Sequence, residues 1–150
     1  MREITEILNR IAALEKRLSS MVRHGPVAEV NPAEGWVRLN LGEGDKGPLL
    51  SPKIPYAQMA GALKFHAPPS EGQQMTYFAP SGDPRQAVAF PMTWSDANPS
   101  PSGSGEENVM TFGSVTIAIK GDSVKITAGG TWFEISAGGI KAVSDDYDFQ

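Results

Sequence analysis

With 150 residues, the chain has the length of about one average domain or two small ones. Its 13 Lys and Arg against 17 Asp and Glu give a net charge of -4, which removes the usual electrostatic drive for wrapping nucleic acid. No apolar stretch approaches the roughly 18 residues of a membrane-spanning helix, the charged start does not read as a secretory signal, and the lack of cysteine excludes disulfides, thiolate metal sites and a cysteine nucleophile.

Glycine (16) and proline (12) are abundant, as in a turn-rich β protein, and their placement divides the chain. Every proline lies between Pro26 and Pro101, so a proline-free start and a proline-free end flank a proline-rich middle. Net charge is positive over residues 1–24, negative over 25–105 and most negative over 106–150.

In the first zone Ile4, Ile7, Ile11, Leu14, Leu18 and Met21 recur at alternating spacings of three and four, the a/d pattern of a coiled-coil seam. The pattern predicts a helix over residues 1–24, stopped by Gly25-Pro26. One helix of about 20 residues is marginal in water, so the stripe must pack on its own domain or on copies of itself. A strict 3.5-residue period makes a stripe narrower than a globular docking face, which favours copies of itself. With Ile4 at position a, Arg10 and Glu15 fall at g and e positions that can pair between parallel neighbours.

Residues 25–96 read as short strands: Val27–Val30, Gly35–Leu41, a weaker Gly47–Leu50, Gln74–Ala79 and Gln86–Met92. Turns are expected at Asn31-Pro32-Ala33-Glu34-Gly35 and at Pro80-Ser81-Gly82-Asp83-Pro84. This run of short strands suits a small barrel of the OB type. The aromatics Trp36, Tyr56, Phe65, Tyr77, Phe78, Phe90 and Trp94 are expected to fill that barrel and line a protein interface. As stacking platforms for single-stranded nucleic acid they would need cations that the region's charge balance does not supply.

Residues 97–105 are rich in Ser, Pro and Gly and read as a linker. Residues 106–150 then carry an internal repeat, with glycine at Gly113, Gly121, Gly129-Gly130 and Gly138-Gly139. Alternation between the turns puts Val115, Ile117, Ile119, Val124, Ile126, Ala128, Phe133, Ile135 and Ala137 on one face, with Ile140 in the following strand. Thr116, Lys120, Lys125, Thr127, Glu134 and Ser136 take the other face. A small meander cannot cover its own apolar face, and two further copies of the chain would close three such faces into a prism.

A heptad helix precedes a barrel that holds Pro68-Pro69-Ser70-Glu71-Gly72-Gln73-Gln74-Met75 and Pro80-Ser81-Gly82-Asp83, and a glycine-punctuated octad repeat follows. This order resembles the baseplate assembly protein V family, the central spikes of contractile phage tails and related bacteriocin-like particles. The resemblance covers essentially the whole chain. It implies a mainly β homotrimer with an N-terminal coiled-coil helix, an OB-fold collar and a C-terminal interwoven triple-stranded β-helix. It also implies a virion protein, made in the host cytoplasm, that sits on the baseplate hub beneath the tail tube. The spike would pierce the host envelope, touching the outer membrane transiently, when the sheath contracts.

Many members of that family gather six imidazoles from a His-x-His pair around an iron ion at the tip. This chain has no histidine after His66, so no tip metal and no other cofactor is expected. The candidate tip, Asp145, Asp146, Tyr147, Asp148 and Phe149, reads as a solvated acidic end rather than an oxygen-ligand cation site. A separate small tip protein could cover it. No enzyme is expected: His24 and His66 belong to no recognised motif and no carboxylate pair stands out. A single-strand-binding OB protein and a small hydrolase are the competing classes.

Overall fold

The computed structural model describes residues 2–147. The chain forms two compact units, Met1–Pro99 and Ser100–Gln150, and the break falls inside the glycine- and serine-rich stretch. The molecule is mainly β, with two antiparallel sheets and one N-terminal helix. No helix is long and apolar enough to cross a membrane.

The helix α1 (Arg2–Met21) passes directly into β1 (Val22–Asn31). Gly25-Pro26 is therefore not the helix stop that the sequence suggests. Val22 to Pro26 pair antiparallel with Phe78 to Gln74, so sheet hydrogen bonds take over where the helix ends. The Ala79 N–H donates to the Met21 carbonyl at 2.7 Å, supplying one of the partners that a helix C-terminus lacks. Gly25 has a different task, because a Cβ there would overlap the Asn40 carbonyl oxygen on the neighbouring strand.

The first sheet continues with β2 (Trp36–Gly44), β3 (Gly47–Leu50), β4 (Ile54–Pro55), β5 (Gln74–Phe78) and β6 (Val88–Pro91). Its strands run in the order β3-β2-β1-β5-β6, with β4 also on β2. The Asn31 carboxamide oxygen accepts the Glu34 N–H at 3.0 Å and so holds the expected β1–β2 turn. Strand β4, too short and too proline-flanked to read from the sequence, pairs Trp36 with Pro55 and Val37 with Ile54. Next to it Tyr56 forms a parallel bridge to Ala89, and the Ala57 N–H donates to the Ala89 carbonyl at 2.8 Å. The circuit β1-β2-β4-β6-β5-β1 is thereby closed, with one parallel contact among antiparallel ones.

Val27, Val37, Leu39, Ile54, Met75, Tyr77, Ala79, Ala87 and Ala89 fill the inside. Ser51 is buried with them, its hydroxyl accepting the Leu39 N–H and donating to the Pro52 carbonyl. Of the seven aromatics expected to fill the barrel, Tyr77 is fully buried and Tyr56 packs against the core from its rim. Phe65, Phe78, Phe90 and Trp94 are exposed, because aliphatic side chains and alanines already occupy the small interior. The strand expected to start at Gln86 starts at Val88. Pro84–Gln86 form a short 3-10 turn capped by Asp83, which accepts the Arg85 N–H and pairs with its guanidinium. Those bonds hold the Asp83 carboxyl below its ordinary range.

Burial pushes the Tyr77 phenol above its ordinary value of 10.0, against the pull of the Arg23 charge. The folded barrel favours the neutral phenol, so this contribution to stability is whole below about pH 10 and is lost as pH rises through the raised value. Tyr77→Phe should therefore shift alkaline unfolding, followed by circular dichroism, to higher pH. An unchanged alkaline midpoint would contradict this.

The second unit is a five-stranded antiparallel meander in sequence order: β7 (Glu107–Phe112), β8 (Val115–Lys120), β9 (Ser123–Ala128), β10 (Thr131–Ser136) and β11 (Gly139–Val143). Two residues connect each pair of strands. Gly113, Gly121 and Gly129 open three of these turns at φ 58°, 52° and 60°, the left-handed conformation that tight hairpins demand at that position.

Candidate assembly surfaces

Helix α1 buries no residue. Ile4, Ile7, Leu14 and Leu18 are more than half exposed, Ile11 is nearly so, and Met21 is partly covered beside the barrel. The helix is therefore not docked along its own domain. Only its last turns touch the barrel, where Arg17 backbone lies so close to Gly82 that a Cβ there would sit 2.6 Å from the Arg17 carbonyl oxygen. Leu8, at an e position that the a/d reading passes over, is exposed as well and widens the stripe.

In the meander, strand register decides which side chains share a face, since directly opposed residues point the same way. Met110 faces Ile117, Ile117 faces Ile126 and Ile126 faces Phe133. Beside that row run Val115 with Ala128, and Ile119, Val124, Ile135 and Ile140 in succession. The sequence-derived core positions Val115, Ile117, Ile119, Val124, Ile126, Phe133, Ile135 and Ile140 thus lie on one face. Met110 and Phe112 of β7, which precede the first repeat glycine, join this face as well; Phe112, opposite Val115, is 90% exposed. Ile126 is 44% and Ile140 68% exposed on this face, and Ser144 and Tyr147, after β11, line a hollow with Ile126, Phe133 and Ala142 at one part of it.

The reverse face is not simply wet. Lys125 places its ammonium 4.2 Å from the centre of the Trp132 ring, and its direct neighbours are Ala118 and Glu134. Trp132 follows no apolar alternation and lies with Thr127 and Val143 on this polar side.

At the candidate tip, Asp145 and Asp146 are exposed, and the Tyr147 hydroxyl turns back to donate to the Ala142 carbonyl and accept the Ser144 N–H. Asp148 and Phe149 lie outside the described residues. No group of three or more His, Asp or Glu side chains able to hold a metal occurs among the described residues. His66 is exposed in the 57–68 loop, and the His24 Nδ1 lies 2.7 Å from the Thr76 hydroxyl. The ion pairs among the described residues, Arg38 with Glu29 and Arg85 with Asp83, sit at the barrel surface.

No protein-family model matches the chain, and no curated protein matches it either.

Proposed function

We propose that the chain is a structural protein, the trimeric central spike of a contractile-tail baseplate, which attaches to the hub and pierces the host envelope. The observation that carries this reading is the pair of exposed apolar faces, one along α1 and one across the meander. Each is ordered by the chain's own hydrogen bonds and each is left largely open. One symmetric association of parallel copies covers both.

The first heptad of the seam supports more than two copies. Isoleucine occupies both position a at Ile4 and position d at Ile7, which shifts coiled coils from dimers toward trimers and tetramers, whereas Ile11 at a with Leu14 at d is the pattern of two-stranded coils. The closed circuit with its single parallel contact is consistent with an OB-type barrel, the collar of the proposed spike. Because β7 to β11 bond to one another within one chain, partner strands cannot interleave between them as the family resemblance implies, and each copy would instead supply one complete wall of a three-sided prism. Five strands at a spacing of about 4.8 Å make a stub roughly 20 Å long. Hub and tail-tube proteins, a separate tip protein and transient contact with the outer membrane belong to the same proposal, with no metal or other cofactor.

The single-strand-binding alternative draws less support. OB folds read single strands on their second and third strands, here β2 and β4, whereas the exposed Phe78 and Phe90 stand on β5 and β6. Light scattering provides the test. The expected mass is three times the 16.0 kDa chain, and a folded monomer at micromolar concentration would overturn the proposal.

A further inference from the structure

We infer that the outward face of β1, β5 and β6 is a second contact between copies of this chain, continuing the helix seam onto the barrel. This rests on the trimeric reading above. Register defines the face: Met75, Tyr77, Ala79, Ala87 and Ala89 point into the core, so the residues between them point out. Val22 lies opposite Phe78, and Phe78 opposite Val88, in one apolar row. In the adjacent row His24, Thr76 and Phe90 follow one another, Thr76 itself being buried, and the Phe90 ring meets Phe78 edge-on at 5.6 Å. Val22, Phe78 and Phe90 are each more than 40% exposed. His24 is the one ionisable side chain on these two rows.

The identity of the cover follows from how the helix joins the barrel. No linker intervenes between Met21, the last seam residue, and Val22, the first residue of the outward row. The Met21 carbonyl is bonded to Ala79, and Gly82 is pressed against Arg17, so the helix end is fixed on the barrel. A hollow of about 410 Å³, lined by Leu14, Leu18, Met21, Pro80 and Ser81 among others, runs from the seam to the turn that follows the strand holding Phe78. Copies that bring their seams to a common axis therefore carry Val22, the residue after the last seam position and the first of the outward row, close to that axis. A second copy is the occupant that this continuity selects.

Two measurements on the full chain test this. Phe78→Arg places a charge on the row without touching the inward core. Its trimer should dissociate at roughly tenfold or higher protein concentration than the wild type, with an unchanged circular dichroism spectrum. Because the chain contains no cysteine, Phe90→Cys introduces a unique thiol. That thiol should react slowly with a bulky maleimide in the trimer and rapidly after dilution to monomer, with the exposed Lys53→Cys as the reference. A wild-type trimer that forms while Phe78→Arg dissociates no earlier, or while Phe90→Cys labels as fast as Lys53→Cys, would overturn the barrel contact and leave the trimer standing. A monomeric wild type would remove both.

Discussion

Ile126→Asp is expected to melt the C-terminal meander of the assembled protein while leaving the barrel folded. Ile126 is central on the apolar face, with Ile117 and Phe133 as its direct cross-strand partners. In an isolated chain it is 44% exposed, and a carboxylate there could still reach water. In a three-walled prism, threefold symmetry would gather three carboxylates near one axis without partners, at a cost of several kcal/mol per trimer. The size of the effect thus reports whether the face is covered. Lys125→Asp, one position along on the reverse face, loses the Trp132 contact and sets a carboxylate opposite Glu134, which together cost on the order of 1 kcal/mol. Lys125 is partly covered by that ring rather than free in water, so Lys125→Gln is the cleaner reference. Thermal unfolding followed by Trp132 fluorescence, with Trp36 and Trp94 both replaced by Phe so that no indole of the first unit emits, should show a large loss for Ile126→Asp and a small one for the reference. Equal losses would show that the apolar face is not an interior.

Gly25→Ala is expected to destabilise the barrel by about 3 kcal/mol or more. If Gly25 were the residue that stops a helix, alanine would be harmless or would lengthen α1, since alanine is favoured over glycine in helices by roughly 1 kcal/mol. In the structure Gly25 is within β1, opposite Met75, and an added Cβ would overlap the Asn40 carbonyl oxygen. That oxygen belongs to β2 backbone, which cannot swing aside as a flexible side chain can. Strands β1 and β2 would have to separate, disturbing the Val27–Leu39 pairing at the heart of the core. Urea unfolding of the variant and wild type measures the difference. An unchanged midpoint would restore the helix-stop reading.

The features legible in the sequence are those specified by neighbours a few residues apart. The N-terminal helix with its apolar stripe from Ile4 to Met21 follows from helical periodicity, and the meander strands from alternation between glycine turns. The Asn31–Gly35 turn is likewise local, formed by a side chain that bonds the backbone three residues on. Which face of the meander is apolar was equally readable, because a strand's alternation fixes its two faces before it has partners.

Only the tertiary structure settled what depends on residues far apart in the chain. Met21 ends the helix because Val22 to Pro26 find β5 more than 45 residues away, and no local signal contains that pairing. Ile54–Pro55 becomes a strand because β2 offers it an edge, although two residues among prolines have no periodicity to read. The aromatics look like core by composition, yet Phe78 and Phe90 stand outside because register gives the inward positions to Met75, Tyr77 and Ala89. A strand's alternation shows that two faces exist, and partners distant in sequence determine which one meets the core.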